Sequence, residues 1–282
     1  MGLFSPVKSF LSVVLKDNIC KFYYRKLSGK KVVDEKVEKI DLKTSEEETS
    51  AILAKFANLG EKRLTTSFLI DSKEQKAILG EVEIKENFVY QEIDKGFTVE
   101  LPQEIIEKTD EKFGIKFDSH TSLFKVLYFL MKNQHFGETA MFVLKFSDKI
   151  AFIVGNQEKV AYANIVSMKD HFEVDLGDED EMFYEILKGE IDKFYTEHES
   201  DFINSIFIYN DGSLGNEIGY VIFSRIFVKT SLTFVDFVDF INKISIKESV
   251  RRRYIRTILR FLGERRYTGE HAAGFLKYGI FL

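Results

Sequence analysis

Tryptophan is absent from this 282-residue chain, cysteine occurs once, and charge of neither sign dominates. The lone thiol, Cys20, cannot close an internal disulfide and has no Cys or His at metal-ligand spacing, so a reducing compartment, the cytosol, is expected. No apolar run approaches the roughly 20 residues of a membrane-crossing helix, because Lys8, Lys16 and Asp17 bracket the most apolar N-terminal stretch. Pro6 stands where a myristoylation signal carries Ser or Thr, so lipidation is not expected. The histidines His120, His135, His171, His198 and His271 are dispersed, and none forms a helical zinc pair. No Ser, His and Asp set accompanies a Gly-rich nucleophile turn. The carboxylate pairs Asp178 with Asp180 and Asp236 with Asp239 read as solvated faces. The expectation is therefore no catalytic residue, no metal and no cofactor.

What is present is ordinary globular composition, 45% hydrophobic and 30% charged, with 28 Phe and 12 Tyr supplying the aromatic bulk. Forty Lys and Arg against 45 Asp and Glu leave a net charge of −5, which gives no global field for nucleic acid. The length suits two lobes.

Ser9–Val14 and Ile19–Leu27 read as a hairpin about Lys16-Asp17-Asn18, and Lys31–Leu42 as a third strand. Thr44-Ser45 before three glutamates predicts a helix ending at Gly60. Thr65–Ile70 is expected as a strand, Ala77–Ile93 as a hairpin in an exposed insertion, and Phe97–Leu101 as a strand. Pro102 and Gly114 bracket a helix, Ile115–Asp118 reads as a short strand, and a helix through Leu123 and Leu130 fails at Asn133–Gly137. The second half opens with strands Ala140–Phe146, Lys149–Val154 and Val160–Val166. The acids of Asp175–Glu181 then start an amphipathic helix carrying Phe183, Leu187 and Phe194. Ser205–Tyr209 as a strand, Leu214–Phe223 as a helix, Ile226–Thr230 as a strand, and helices over Phe234–Ile244 and Ser249–Leu262 complete the pattern. The predicted class is α/β: a first lobe over 1–137 with a short insertion at about 71–96, and a second over 138–282 with a basic C-terminal helix.

This order resembles the two-lobed actin-like (ribonuclease H-like) ATPase fold, each lobe a mixed sheet with helices. Within it, the chain is similar to the type IV pilus assembly protein PilM and the cytoplasmic domain of the type II secretion protein GspL. Four segments carry the resemblance: Met1-Gly2-Leu3-Phe4, Phe97–Ile106, Phe113-Gly114-Ile115 with Asp118, and Ala140–Met168. Nucleotide-binding members place a Gly-rich hairpin turn after the first strand of each lobe, where backbone N–H groups and an Asp hold phosphates and magnesium. Here those turns are Lys16-Asp17-Asn18 and Ser147-Asp148-Lys149, and neither contains glycine. Two readings stand for Tyr209–Gly215: a remnant of the adenosine-packing turn through Asp211, Gly212 and Gly215, or an ordinary strand-to-helix loop.

The resemblance implies a non-catalytic pseudo-ATPase scaffold, cytoplasmic and at the inner face of the inner membrane, serving a pilus, type II secretion or flagellar-motor assembly. It implies binding of the N-terminal cytosolic tail of a single-span inner-membrane protein of PilN type, in a groove beside a reduced inserted subdomain, and self-association into a ring. The alternative is an actin-like ATPase with diverged phosphate loops that drives lobe closure. One concentrated charge remains: Arg252, Arg256 and Arg260 share a helix face at i,i+4 spacing. An acidic partner, a membrane surface, a solvated face paired with Asp175–Glu181, or a regulatory or nucleic-acid-binding module, against which the net charge of −5 counts, are the readings of that stripe.

Overall fold

The computed structural model describes residues 7–42, 64–171, 179–198 and 201–264, with side chains from Arg251 onward excluded. The helix expected at 44–60 and the residues Asp175–Asp178 lie outside the described residues.

The chain opens with a long antiparallel meander of β1 (Val7–Lys16), β2 (Ile19–Ser28) and β3 (Lys31–Asp41). Two parallel strands, β4 (Leu64–Leu69) and β8 (Ser119–Thr121), extend it to a five-stranded sheet in the order β3-β2-β1-β4-β8. The second half repeats the plan. The meander β9 (Ala140–Phe146), β10 (Lys149–Gly155) and β11 (Val160–Ser167) is followed by parallel β12 (Ser205–Asn210) and β13 (Lys229–Phe234), in the order β11-β10-β9-β12-β13. Two sheets of one strand order in one chain are the signature of a doubled lobe.

A third, three-stranded sheet is built from β5 (Lys76–Leu79), β6 (Phe88–Asp94) and β7 (Phe97–Pro102). Its order, β5-β7-β6, corrects the expected hairpin within Ala77–Ile93: β6 turns back onto β7 through Gly96 (φ 75°), and β5 pairs with the far edge of β7. Helix α1 (Gln103–Phe113) follows Pro102 and is closed by left-handed Gly114, whose N–H bonds back to Asp110 and Glu111. The strand expected over Ile115–Asp118 lies instead at Ser119–Thr121. Ile115 and Phe117 donate their N–H groups to Asp110, which holds the preceding residues in the helix-exit turn.

Helix α2 (Leu123–Lys132) is capped by the Ser122 hydroxyl, which accepts from the Lys125 N–H, and nearly all of its residues are buried. Helices α3 (Glu179–Glu197) and α4 (Ile218–Ile226) cover one face of the second sheet, packing Phe183, Leu187 and Ile222 against Val143, Phe152 and Ile208. The opposite face, with Phe142, Leu144 and Ile153, joins the core of the first sheet. Every residue of β9 is therefore buried, as a strand covered on both faces must be.

Helix α4 starts four residues later than its periodicity suggests, because Leu214–Glu217 is held in a loop. It ends at left-handed Phe227, so the next strand is Lys229–Phe234 rather than Ile226–Thr230. The two expected closing helices are one continuous helix, α5 (Phe237–Glu264). No Gly or Pro breaks it between Ile244 and Ser249, and Glu248 pairs with the buried ammonium of Lys125. Although it comes last in the chain, α5 packs on β1, β2 and β4 of the first sheet.

The anchor of that packing is Asn242, fully buried, whose amide donates to Ser12 Oγ at 3.1 Å and the Tyr23 carbonyl at 3.2 Å. Asn242→Ala removes both bonds, leaving Ser12 Oγ only its bond to Ser67 Oγ, and is expected to cost about 1–3 kcal/mol in urea unfolding. A loss below a few tenths of a kcal/mol would show that α5 is not tied down there.

Candidate functional site: a cleft bridged by its own aspartates

The two meanders turn in the same way. Asp17-Asn18 joins β1 to β2 with Lys16 opposite Ile19, and Ser147-Asp148 joins β9 to β10 with Phe146 opposite Lys149. In each turn the first residue is left-handed, Asp17 at φ 55° and Ser147 at φ 52°. Glycine adopts that conformation freely, whereas a Cβ there costs about 1–2 kcal/mol. Both turns therefore keep the geometry of a glycine hairpin without the glycine.

The fourth strand of each sheet delivers an aspartate beyond its end, Asp71 after β4 and Asp211 after β12, and each reaches a lysine of the other lobe's hairpin. Lys16 Nζ lies 2.7 Å from Asp211 Oδ2, and Lys149 Nζ lies 3.8 Å from Asp71 Oδ1. The crossing is reciprocal, first hairpin to second lobe and second hairpin to first lobe. A further bridge, Lys73 to Asp170 at 2.8 Å, is half exposed and adds little.

Asp211 is the better satisfied of the two. Its side chain is 6% exposed and accepts from Lys16, from the Ser147 N–H at 3.0 Å and from the Ser213 N–H at 3.2 Å. Burial pushes its pKa up, and these donors outweigh burial and hold it below the ordinary carboxylate value. A carboxylate with a backbone N–H and an ammonium converging on it is an anion in an anion-binding nest.

Asp148 and Asp71 show the two opposite outcomes of burial. Burial raises Asp148 too, but hydrogen bonds from Lys149 and Ser167 and the charges of Lys149 and Lys169 bring it down to about 2. Asp71 is pushed up to about 6 by burial, with the charges of Asp148 and Asp17 adding to it and Lys149 and Lys169 opposing. Its Oδ1 is buried and accepts no hydrogen bond. Beside it opens a cavity of about 470 Å³, floored by Phe68, Ile105 and Phe113 and edged by Lys112 and Lys149.

The loop Tyr209–Gly215 brings its singled-out residues together around internal partners. Gly212 (φ 90°) donates to Asn210 Oδ1 at 2.6 Å in a local turn. Gly215 donates to Asp180 Oδ1, and a Cβ on it would stand 2.5 Å from Asp180 Oδ2, so a larger residue there would push that carboxylate aside. Ser213 accepts from Lys145, whose side chain is 2% exposed and also pairs with Glu179.

Lys16, Asp17, Ser147, Asp148, Lys149 and Asp211 thus converge on one cleft, and Asn18 sits at the tip of the first turn. Arg252, Arg256 and Arg260 lie in the C-terminal half of α5, and their side chains are outside the described residues. Sequence reasoning missed Asp71 and Lys145. A signal for the first was available: Phe68-Leu69-Ile70-Asp71 and Ile208-Tyr209-Asn210-Asp211 are the same strand end in two lobes. Among the described residues no group of three His, Cys, Asp or Glu is arranged to hold a metal ion.

Asp71 carries a pH signature. With its folded pKa above the ordinary value near 4, the folded state holds the proton more tightly, so stability falls as pH rises from about 4 to about 6. The expected loss is about 1–3 kcal/mol in the wild type, and Asp71→Asn flattens that window and is more stable at neutral pH. Urea unfolding at pH 4.5 and pH 7 checks this; equal slopes in both proteins would contradict it. Asp148, depressed to about 2, acts only below about pH 4 and with the opposite sign.

Residues 173–250 match the model of a family described as a domain of unknown function, DUF8341. No curated protein matches the chain in sequence. Among solved structures, a chain of the PilM–PilN type IV pilus biogenesis complex is 8% identical, with a TM-score of 0.51 over 79% of this chain and 88% of that one. A Bacteroides thetaiotaomicron protein of unknown function with an actin-like ATPase fold is 15% identical, at 0.49 over 87% and 98%. MreB5 of Spiroplasma citri, bound to ADP, is 10% identical, at 0.48 over 88% and 98%. At 8% identity the likeness to the PilM–PilN chain speaks to architecture alone, and with the doubled sheet order the chain has a two-lobed actin-like fold.

Proposed function

We propose that this protein is a non-catalytic cytoplasmic scaffold of a cell-envelope machine of the pilus, type II secretion or flagellar-motor kind. In this reading it works at the inner face of the inner membrane by holding the N-terminal tail of a PilN-type membrane protein. The observation that carries the non-catalytic part is Asp211. Its carboxylate takes the Ser147 N–H and the Lys16 ammonium, the two groups that a phosphate between the hairpins would need. An incoming phosphate would meet a negative charge already satisfied by three donors, and like charges at that distance repel strongly in a buried site. The likeness in fold to a chain of the PilM–PilN complex supports the choice of partner class. An extended peptide laid in an apolar groove is the mode of recognition that suits such a tail.

Thermal unfolding with millimolar magnesium ATP tests the first part. A nucleotide present at a hundredfold its dissociation constant adds about 2.7 kcal/mol to the folded state, and no magnesium-dependent rise is expected here. A clear rise would overturn the scaffold reading in favour of an ATPase. Capture of immobilised N-terminal tail peptides from single-span inner-membrane proteins tests the second part, and failure of all of them to bind would remove that partner class.

A further inference from the structure

The two five-stranded sheets end in edge strands of opposite chemistry. Edge strand β3 carries a charge at seven of its eleven positions, on both faces, which guards an open ladder against pairing with another chain. Edge strand β13 carries one charge, Lys229, followed by Thr-Ser-Leu-Thr-Phe. The Val235 N–H donates inward to Asn210, so by alternation the main-chain groups of Thr230, Leu232 and Phe234 point to the open side.

An aromatic stripe stands over that unguarded edge. A Cβ on Gly219 of α4 would lie 3.8 Å from Leu232 of β13, whereas Arg225, on the other side of the helix, is held by Glu181 and the Tyr184 ring of α3. At about 100° per residue, Tyr220 and Phe223 fall on the Gly219 side, and Phe227 follows at the helix end. They are 74%, 47% and 82% exposed, and Phe234, on the same sheet face as Leu232, is 64% exposed. Phe227 is also left-handed at φ 60°, a conformation that costs a residue with a Cβ about 1–2 kcal/mol, and its exposed ring gains little in the single chain to offset that.

We propose that β13 and α4 form a two-fold docking face for a second copy of this chain, whose β13 adds antiparallel to the open edge and whose α4 lies beside the first. Charge and area select a copy as the occupant. In an antiparallel pair, Lys229 of one chain meets the uncharged end of the other strand rather than its own counterpart. Because α4 runs back along β13, Glu217 at the start of α4 in one copy comes to the same end as Lys229 of the other. No like charges are opposed, and ring meets ring across the axis. At about 200 Å² for a fully exposed aromatic side chain, the four rings offer on the order of 500 Å² per copy. With the strand edge added, this approaches the roughly 800 Å² that each partner of a stable pair buries. An isologous pair closes at two copies, unlike the ring that the family resemblance implies. The inference goes beyond the proposed scaffold role and does not rest on tail capture.

Light scattering of the full chain in size-exclusion chromatography, from about 1 µM to about 100 µM, tests it across the range of micromolar dissociation. A dimer is expected in the wild type. Tyr220→Glu with Phe223→Glu places like charges across the axis, and Ser231→Lys with Thr233→Lys guards the edge as β3 is guarded. Each pair of substitutions is expected to weaken association at least about a hundredfold. All four positions are exposed, so the melting transition of the dilute protein is expected to stay in place. Phe227→Asn suits the left-handed turn and is expected to raise that transition while weakening the dimer, which separates folding from association. A monomer throughout, an assembly larger than two, or a dimer that survives either double substitution would overturn the proposal; the first outcome would leave the edge to a strand of another protein.

Discussion

The structure turns on where one carboxylate rests. Asp211, at the end of the fourth strand of the second lobe, completes the turn after Phe146 from inside and draws the lysine of the first hairpin across the cleft. A chain can fill an anion nest with its own side chain only when the strand end and the hairpin tip are neighbours. The parallel register of β12 on β9, with Asn210 beside Lys145, makes them so. The same logic in the first lobe leaves Asp71 without an accepting role, and the energetic contrast is large. One aspartate is held charged by three donors, and its counterpart is pushed toward neutrality by burial and by Asp148 and Asp17.

This pairing bears on motion as well as on chemistry. Ligand-driven lobe closure needs two packings of comparable energy. Here the reciprocal Lys16–Asp211 and Lys149–Asp71 contacts join the hairpins, and one hydrophobic core runs from β1 and α2 through the inner face of β9 and β10 to α5. Phe146 of the second hairpin packs on Phe237 at the root of α5, at 4.7 Å between ring centroids. Lys16 is 36% exposed, so its pair with Asp211 adds little, and opening the cleft works chiefly against the shared core.

Much of this was legible in sequence because period and punctuation agree locally. The meanders alternate, Gly114 closes α1, and Ser122 caps α2, so those elements are set by nearby residues. The misplacements occur where a distant partner decides. Helix α4 is delayed because Asp180, thirty-five residues earlier, takes the Gly215 N–H. Midway along α5, Glu248 meets Lys125, a residue of α2 that sequence period does not place beside it. The order β5-β7-β6 is a pairing choice that alternation alone does not encode. The absence of glycine from both turns is visible in the chain; that Asp211 reaches the Ser147 N–H and Lys16 is not, because it requires knowing which strand ends meet.

The central claim is that Asp211 stands in for a bound anion. Isothermal titration of Asp211→Ala with inorganic phosphate, beside the wild type, tests it directly, because the variant frees Lys16 and the Ser147 N–H without touching either. The account predicts that the variant gains phosphate binding, competitive with sulfate, while the wild type shows none. Phosphate binding by the wild type at equal affinity would contradict it, since the nest would then be open with the carboxylate in place.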